Sequence, residues 1–245
     1  MNYLFHAHTE FSHDSDLKLN NLYKVLKKNN IKGIAITDHN EIAGALKFKE
    51  LYGDTLDVIV GEEIMTTQGE IIGLFLKEKI PANLSPEDTI KRIKDQGGIV
   101  YLPHPFDEKR KKSALDYSAI IQNINQIDII EIYNARSILE EFNKNAEKLC
   151  SDFNKPKIVG ADSHTAYEAN FNYLKLDING KLSAANFLAS VEHYEHINVK
   201  LQVLIHQVTR LVRIKKLVLK GDLIGIYKLF YRKYKKYLLR LKQAS

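Results

Sequence analysis

Seven short apolar runs rich in β-branched residues recur along the chain: Tyr3–Phe5, Gly33–Thr37, Leu56–Gly61, Ile71–Leu76, Ile99–Leu102, Ile127–Ile132 and Lys157–Gly160. Helix-like amphipathic stretches separate most of them, among them Asn20–Asn30, Glu41–Leu51, Ser85–Gln96 and Ser137–Asn154. That alternation is the signature of an α/β fold with a largely parallel sheet. The exception is Leu56–Leu76, where two runs meet at a turn around Gln68-Gly69 and predict a hairpin. Ser85-Pro86-Glu87-Asp88 has an N-cap serine, proline at the first helical position and acids in the first turn, so a helix is expected to start there. Gly97-Gly98 closes it.

The polar residues sit where these runs stop. His6-Ala7-His8 follows the first, Thr37-Asp38-His39-Asn40 the second and Glu62-Glu63 the third. Pro103-His104-Pro105 and Asp162-Ser163-His164 follow two later runs. Strand ends of this kind are where barrel and open α/β enzymes carry their chemistry. Five of the nine histidines (His6, His8, His39, His104 and His164) fall at such ends. His6 and His8 are two apart, so a strand points both to one face and lets them grip one ion. Taken alone, His-x-His also suits two ordinary polar residues at a strand end. The ensemble is what argues for a site.

Mixed imidazole and carboxylate ligands, without cysteine, suit Mn, Zn or Fe bound for hydrolysis rather than a structural zinc. Two or three close cations can generate hydroxide at neutral pH and stabilise the attacking and leaving oxygens of a phosphoryl displacement. No Walker loop, nucleophile elbow or dinucleotide fingerprint competes with this.

The set His6-Ala7-His8, Asp14, Thr37-Asp38-His39-Asn40, Gly61-Glu62-Glu63-Ile64, His104-Pro105 and Asp162-Ser163-His164 resembles the PHP (polymerase and histidinol phosphatase) family over roughly residues 1–180. The resemblance implies a distorted seven-stranded (β/α)7 barrel with two or three divalent metals at the C-terminal strand ends. It implies that His6, His8, Glu63 and Asp162 hold one metal, and Asp14, His39 and His164 a second. Glu63 would bridge to a third, also held by His104. Where the family usually has a further histidine, this chain has Glu70, in Glu70-Ile71-Ile72-Gly73. A carboxylate there favours harder ions such as Mn²⁺ or Mg²⁺. His39, His164 and Asp38 are the candidate catalytic residues, Asp38 as the expected partner of a ligating histidine. Glu62 is expected to point away from Glu63's face.

Arg136, past another strand end, and Arg110, in the run Lys109-Arg110-Lys111-Lys112, are candidate substrate-phosphate partners. A surface salt bridge and a solvated loop are the alternatives. Cys150 is expected to be packing. As the one cysteine it excludes a disulfide framework and fits a cytoplasmic protein. The opening residues lack the pattern of a secretion signal, and no run reaches the length of a membrane span.

The net charge of +6 conceals an asymmetry. Residues 210–245 hold twelve Lys/Arg against Asp222, a charge of +11, and the other 209 residues carry −5. We divide the chain into a barrel, residues 1–200, and a basic amphipathic helical extension, residues 201–245. Two helices are expected there, Leu201–Leu219 and Leu223–Leu241, broken at Gly221-Asp222. Tyr227, Tyr231, Tyr234 and Leu238 stripe the second beside Lys228, Arg232 and Lys235. The extension has three candidate partners: the barrel or a second subunit, an anionic membrane surface, or nucleic acid. The expected function is a metal-dependent phosphoesterase acting on a small phosphomonoester, a nucleotide or a short oligonucleotide. A protein tyrosine phosphatase and a non-catalytic metal-containing module with a binding tail are the alternatives.

Overall fold

The structure is a computed structural model; it describes residues 1–107, 110, 113–178, 180–191, 195–196, 204–229 and 231. The chain opens with β1 (Asn2–Ala7), α1 (Leu19–Lys28), β2 (Ile31–Ile36), α2 (Ala43–Tyr52) and β3 (Asp57–Thr66). β4 (Gly69–Leu74), α3 (Pro86–Asp95), β5 (Ile99–Leu102), α4 (Tyr117–Asn123) and β6 (Ile129–Asn134) follow. Then come α5 (Glu140–Asp152), β7 (Lys157–Gly160), β8 (Tyr173–Lys175), α6 (Ala184–Val191), β9 (Glu195–His196) and α7 (Leu204–Leu219).

β1 to β7 lie side by side in chain order. β1, β2 and β3 are mutually parallel, as are β5, β6 and β7, and β4 runs antiparallel between the two sets. The chain just past β7 returns to β1: Ala161 N–H donates to Phe5 O (2.9 Å), Ser163 N–H to His6 O (3.1 Å) and His8 N–H to Ser163 O (2.8 Å). This closes the expected seven-stranded barrel. β8 takes the start of β1's edge instead, in antiparallel register, and β9 adds to β8. One edge of β1 is thus shared between two partners, which is the distortion.

The seven expected runs all lie in strands or at their ends, and the hairpin turns at Gly69. Its φ of 128° and the approach of Leu115 Cα, 2.5 Å from where a Cβ would sit, demand glycine. Ser85 caps α3, its hydroxyl accepting from Asp88 N–H at 3.0 Å. α4, α6, β8 and β9 went unread in the sequence, being short or weakly patterned.

Strand alternation divides the apolar residues into two cores. Leu4, Ile34, Ile36, Val58, Val60 and Leu102 face the helices and pack with Leu22, Phe48, Ile90, Ile93 and Leu149. Tyr3, Phe5, Ala35, Ile59, Ile72 and Tyr101 fill the barrel's interior. Phe187 of α6 plugs the end of the barrel opposite the parallel strands' C-termini, against Phe5 (ring centroids 5.2 Å) and Phe75 (5.9 Å). Cys150 is buried on α5 as packing, and burial pushes its thiol up to about 12.

α7 realises the first expected C-terminal helix. After a turn at Gly221 (φ 66°), residues 223–229 are again helical. Of the expected stripe Tyr227 and Tyr231 are described, while Tyr234, Leu238, Arg232 and Lys235 lie outside the described residues. No helix among the described residues is long and apolar enough to cross a membrane.

Phe187→Ala should cost about 3–5 kcal/mol of unfolding free energy, read by urea denaturation, because it empties a plug between aromatic rings that cannot collapse.

Candidate metal centre

β1 does not reach its end as a regular strand. Tyr3 and Phe5 point into the barrel and Leu4 out, so alternation would send His6 out. His6 adopts φ 60° instead. This residue of left-handed backbone turns both His6 and His8 inward, with ring centroids 5.2 Å apart. His104 (φ 28°) and Asp162 (φ 47°), at the ends of β5 and β7, use the same device. Left-handed backbone costs such residues about 1–3 kcal/mol each and clusters at functional sites.

The carboxylate of Glu63, on β3, lies at the centre. Its Oε1 is 2.9 Å from His104 Nε2 and 3.4 Å from His6 Nε2. Its Oε2 is 3.1 Å from His39 Nδ1 and 3.3 Å from His8 Nε2. Asp14 Oδ2 meets His39 Nε2 at 3.4 Å and His164 Nε2 at 3.3 Å. Asp162 Oδ1 stands 3.4 Å from His8 Nε2 and 3.7 Å from His6 Nε2. Glu70, on β4, is buried, with Oε1 3.4 Å from His39 Nδ1 and Oε2 3.7 Å from His104 Nε2.

All nine candidate ligands therefore meet in one place. Three groups have donor atoms mutually within 4.8 Å: His8, Asp14, His39 and His164; His6, His8 and Glu63; and His39, Glu63 and Glu70. His6 Nε2, both ring nitrogens of His8 and His104 Nδ1 are buried without a hydrogen-bond partner. Buried polar atoms are seldom left so. An all-imidazole-and-carboxylate donor set around orphaned ring nitrogens fits divalent cations.

Without cations the groups neutralise one another. Burial opposes charge on His6, His8 and His39 alike, yet carboxylates win at two of them. Glu63, Asp162 and Glu131 hold His6 well above its usual value, and Asp14, Glu63 and Glu70 raise His39 to about 10. Burial, with His164 beside it, pushes His8 down to about 3. Glu63, Asp14 and Asp162 are held well below the carboxylate range despite burial: Glu63 by His39 and His6, Asp14 by His164 and His39, Asp162 by Arg110 and His6. Burial and the neighbouring Glu63 raise Glu70 to about 7.

A second layer fixes the rings, and its central member was missed in the sequence. Glu131 Oε1 takes His6 Nδ1 (3.1 Å) and the Tyr101 hydroxyl (2.7 Å). Its Oε2 accepts from His104 N–H (2.5 Å) and Asn134 Nδ2 (3.2 Å). Gly160 makes room for it, since a Cβ there would lie 1.4 Å from Glu131 Oε1. Within Glu131-Ile132-Tyr133, an acid among apolar strand residues was the available signal.

Two expected roles, those of Asp38 and Arg136, fall differently. Asp38 is on no histidine ring; both its oxygens accept from Thr9, from N–H at 2.5 Å and from the hydroxyl at 2.6 Å, bracing the loop after β1. Burial lifts it to about 6 against those bonds. Arg136 is buried and turned from solvent. Its Nη1 lies 2.7 Å from His164 Nδ1, its Nε is 3.3 Å from Glu168, and Nη2 donates to Ile205 O (3.4 Å) and Thr209 Oγ1 on α7. That makes it a brace, in place of a free phosphate partner. Glu62 does face away from the centre but is buried, accepting from Ile80 N–H at 2.9 Å. Arg110 reaches the centre: Nη2 pairs with Asp162 Oδ2 (2.7 Å) and Nε with Asp107 (3.2 Å). Lys109, Lys111 and Lys112 lie outside the described residues.

α7 lies over the rim rather than leaving it open. Lys216 Nζ donates to Glu10 O (2.7 Å) and Ser12 O (2.6 Å), and His206 Nε2 to Arg136 O (2.9 Å).

The sequence model of the PHP domain matches residues 5–243. The chain belongs to the PHP domain family. The match runs beyond the roughly 180 residues in which the motifs are legible, and takes in α7. Uncharacterized protein MJ1587 of Methanocaldococcus jannaschii is 43% identical over 143 residues, 53% of this chain and 80% of that protein. Uncharacterized protein MJ0417 of the same organism is 35% identical over 152 residues, 61% of this chain and 59% of that protein. A two-domain protein from Bacteroides vulgatus, described as containing a predicted PHP-like metal-dependent phosphoesterase, has a similar fold. Its TM-score is 0.66 at 17% identity, over 81% of this chain and 64% of that one. The chain thus spans less than two thirds of MJ0417 and of the Bacteroides protein.

In this PHP domain, Glu131→Gln should leave the fold intact and lower Mn²⁺ affinity by roughly 10–100-fold, measured by competition with a chelating dye, because it loosens His6 and His104 together.

Proposed function

We propose that the protein is a metal-dependent phosphoesterase acting on a small phosphomonoester or nucleotide. The observation that carries this reading is the meeting of nine imidazole and carboxylate side chains at the strand ends, with buried ring nitrogens of His6, His8 and His104 left without partners. We assign His6, His8, Glu63 and Asp162 to one ion, Asp14, His39 and His164 to a second, and His104 and Glu70, sharing Glu63, to a third. Divalent cations held there supply Lewis acidity and offset the negative charge of a phosphoryl group in transfer.

The chain's own residues do the rest. Burial of the centre excludes bulk water and strengthens every charge interaction in it. Glu131 orients His6, and Arg136 braces His164 from behind. Arg110, held at the edge of the centre by Asp162 and Asp107, is the guanidinium we assign to a substrate phosphate oxygen. His39 and His164, paired through Asp14, are the groups we place nearest the leaving oxygen.

Phosphate release by Mn²⁺-loaded protein over nucleoside monophosphates, a 3′,5′-bisphosphate, short 5′-phosphorylated RNA, phosphotyrosine peptide and sugar phosphates tests the reading. Turnover of a phosphomonoester or nucleotide, abolished in His39→Ala and by chelation, is expected. Silence across the panel with metal bound overturns it. Arg110→Ala should raise KM by about 10–100-fold with a smaller change in kcat.

Metal uptake should also release protons. His39, raised to about 10, is cationic at neutral pH in the metal-free protein, whereas a ligating imidazole must be neutral. Apparent Mn²⁺ affinity therefore rises with pH from 6 to 8, roughly in proportion to the protons displaced. Titration calorimetry in buffers of different ionisation enthalpy reads that proton count directly.

A further inference from the structure

Sixteen large hydrophobic side chains are exposed among the described residues, and eight of them fall between residues 208 and 231. They form a band. On α7, Val208, Leu211, Val218 and Leu219 recur at helical spacing on the side away from the barrel. An adjoining strip of the same helix carries Thr209 and Lys216, which bond to the rim of the metal centre, and the buried Val212. Past the turn at Gly221 the band continues through Leu223, Ile224, Tyr227 and Tyr231, each at least half exposed. Tyr227 and Tyr231 stack at 5.7 Å. Arg210, Lys220 and Lys228 are exposed around it, Lys215 is exposed but pairs with Asp16 of the β1–α1 loop (3.4 Å), and Asp222 is the one acid from residue 204 to the chain's end.

We propose that this band docks on an anionic lipid surface, lying in the headgroup layer. Charge and side-chain type select that occupant. A second copy meeting the band face to face would set one +11 segment against another, and like charge opposes that pairing. Nucleic acid would satisfy the cations, but it offers no apolar phase for six aliphatic side chains; single strands are held by stacking on aromatic faces. An anionic bilayer answers both halves of the surface. The aliphatic residues enter the acyl boundary, the tyrosines sit at headgroup level, and lysine and arginine meet lipid phosphates. The helix lies on the bilayer, being neither long nor apolar enough to cross it. Because its inner face holds Glu10 and Ser12 through Lys216, docking sets the mouth of the metal centre against the lipid surface. None of the band's residues belongs to that centre, so the proposal stands apart from the phosphoesterase reading.

Flotation of the full chain with phosphatidylcholine vesicles, with and without phosphatidylserine, tests it. Leu211→Asp/Val218→Asp removes the apolar half and Lys220→Glu/Lys228→Glu the cationic half. All four positions are solvent-facing, and circular dichroism with Mn²⁺ binding checks that both variants fold. The wild type should float only with phosphatidylserine present, and each double variant should partition more than roughly tenfold less. No flotation, equal flotation with both lipids, or flotation undiminished in Leu211→Asp/Val218→Asp overturns the proposal. So does a dimer in light scattering that Leu211→Asp/Val218→Asp dissolves, or retention on single-stranded oligonucleotide without flotation.

Discussion

One carboxylate, Glu63, touches four of the five histidines in the centre, and the rest of the barrel mouth is arranged so that it can. A buried carboxylate is tolerated only when opposite charge or hydrogen-bond donors surround it. Here His6, His8, His39 and His104 come from three strand ends to do so. β3 must deliver Glu63 inward at the height where β1, β2 and β5 end. The antiparallel β4 then brings Glu70 up beside it, facing His39 and His104. A regular parallel barrel would have placed a helix between β3 and its neighbour. The hairpin puts a second carboxylate there instead, and with it the option of another cation.

The same demand explains where the backbone is bent out of its favoured regions. His6, His104 and Asp162 each take positive φ at the point where a strand gives way to a loop. Regular alternation presents one residue in two to the barrel's inside, and a tight cluster needs more than that. Turning one residue left-handed supplies it, at a local cost in stability. Glu131 shows how the cost is recovered: its two oxygens engage His6, Tyr101, Asn134 and the His104 backbone at once. Gly160 leaves the space for it.

The strands and the site's members were legible because both follow local rules. Period-two apolar runs mark strands wherever they pack, and a histidine or acid at the end of such a run needs no long-range information to be noticed. Glu131 escaped because its function rests on distant partners, His104, Tyr101 and His6, 27 to 125 residues away, and on an absent side chain at position 160. Asp38 and Arg136 were legible as polar residues at strand ends, but position alone does not say which way a side chain turns. Asp38 turned to the backbone of Thr9, and Arg136 to α7 and His164. α4, α6 and β8 carry too few residues for a periodic signal to accumulate.

α7 is where the two halves of the sequence's charge asymmetry meet. The acidic body concentrates carboxylates at the barrel mouth, and a basic helix lies across that mouth. Its lysine amine reaches backbone carbonyls of the β1–α1 loop, and its Thr209 meets the arginine that braces His164. A cation at the rim of a cation site opposes metal binding unless its charge is spent elsewhere. Lys216 spends its charge on two carbonyl oxygens, and burial lowers its pKa. Lys215 pairs with Asp16 beside it, but the aliphatic band and Lys220 carry no such obligation to the barrel. One helix therefore has two sequence constraints, on adjoining faces. A substitution on its inner face should be felt at His164 through Arg136, and one on its outer face should not.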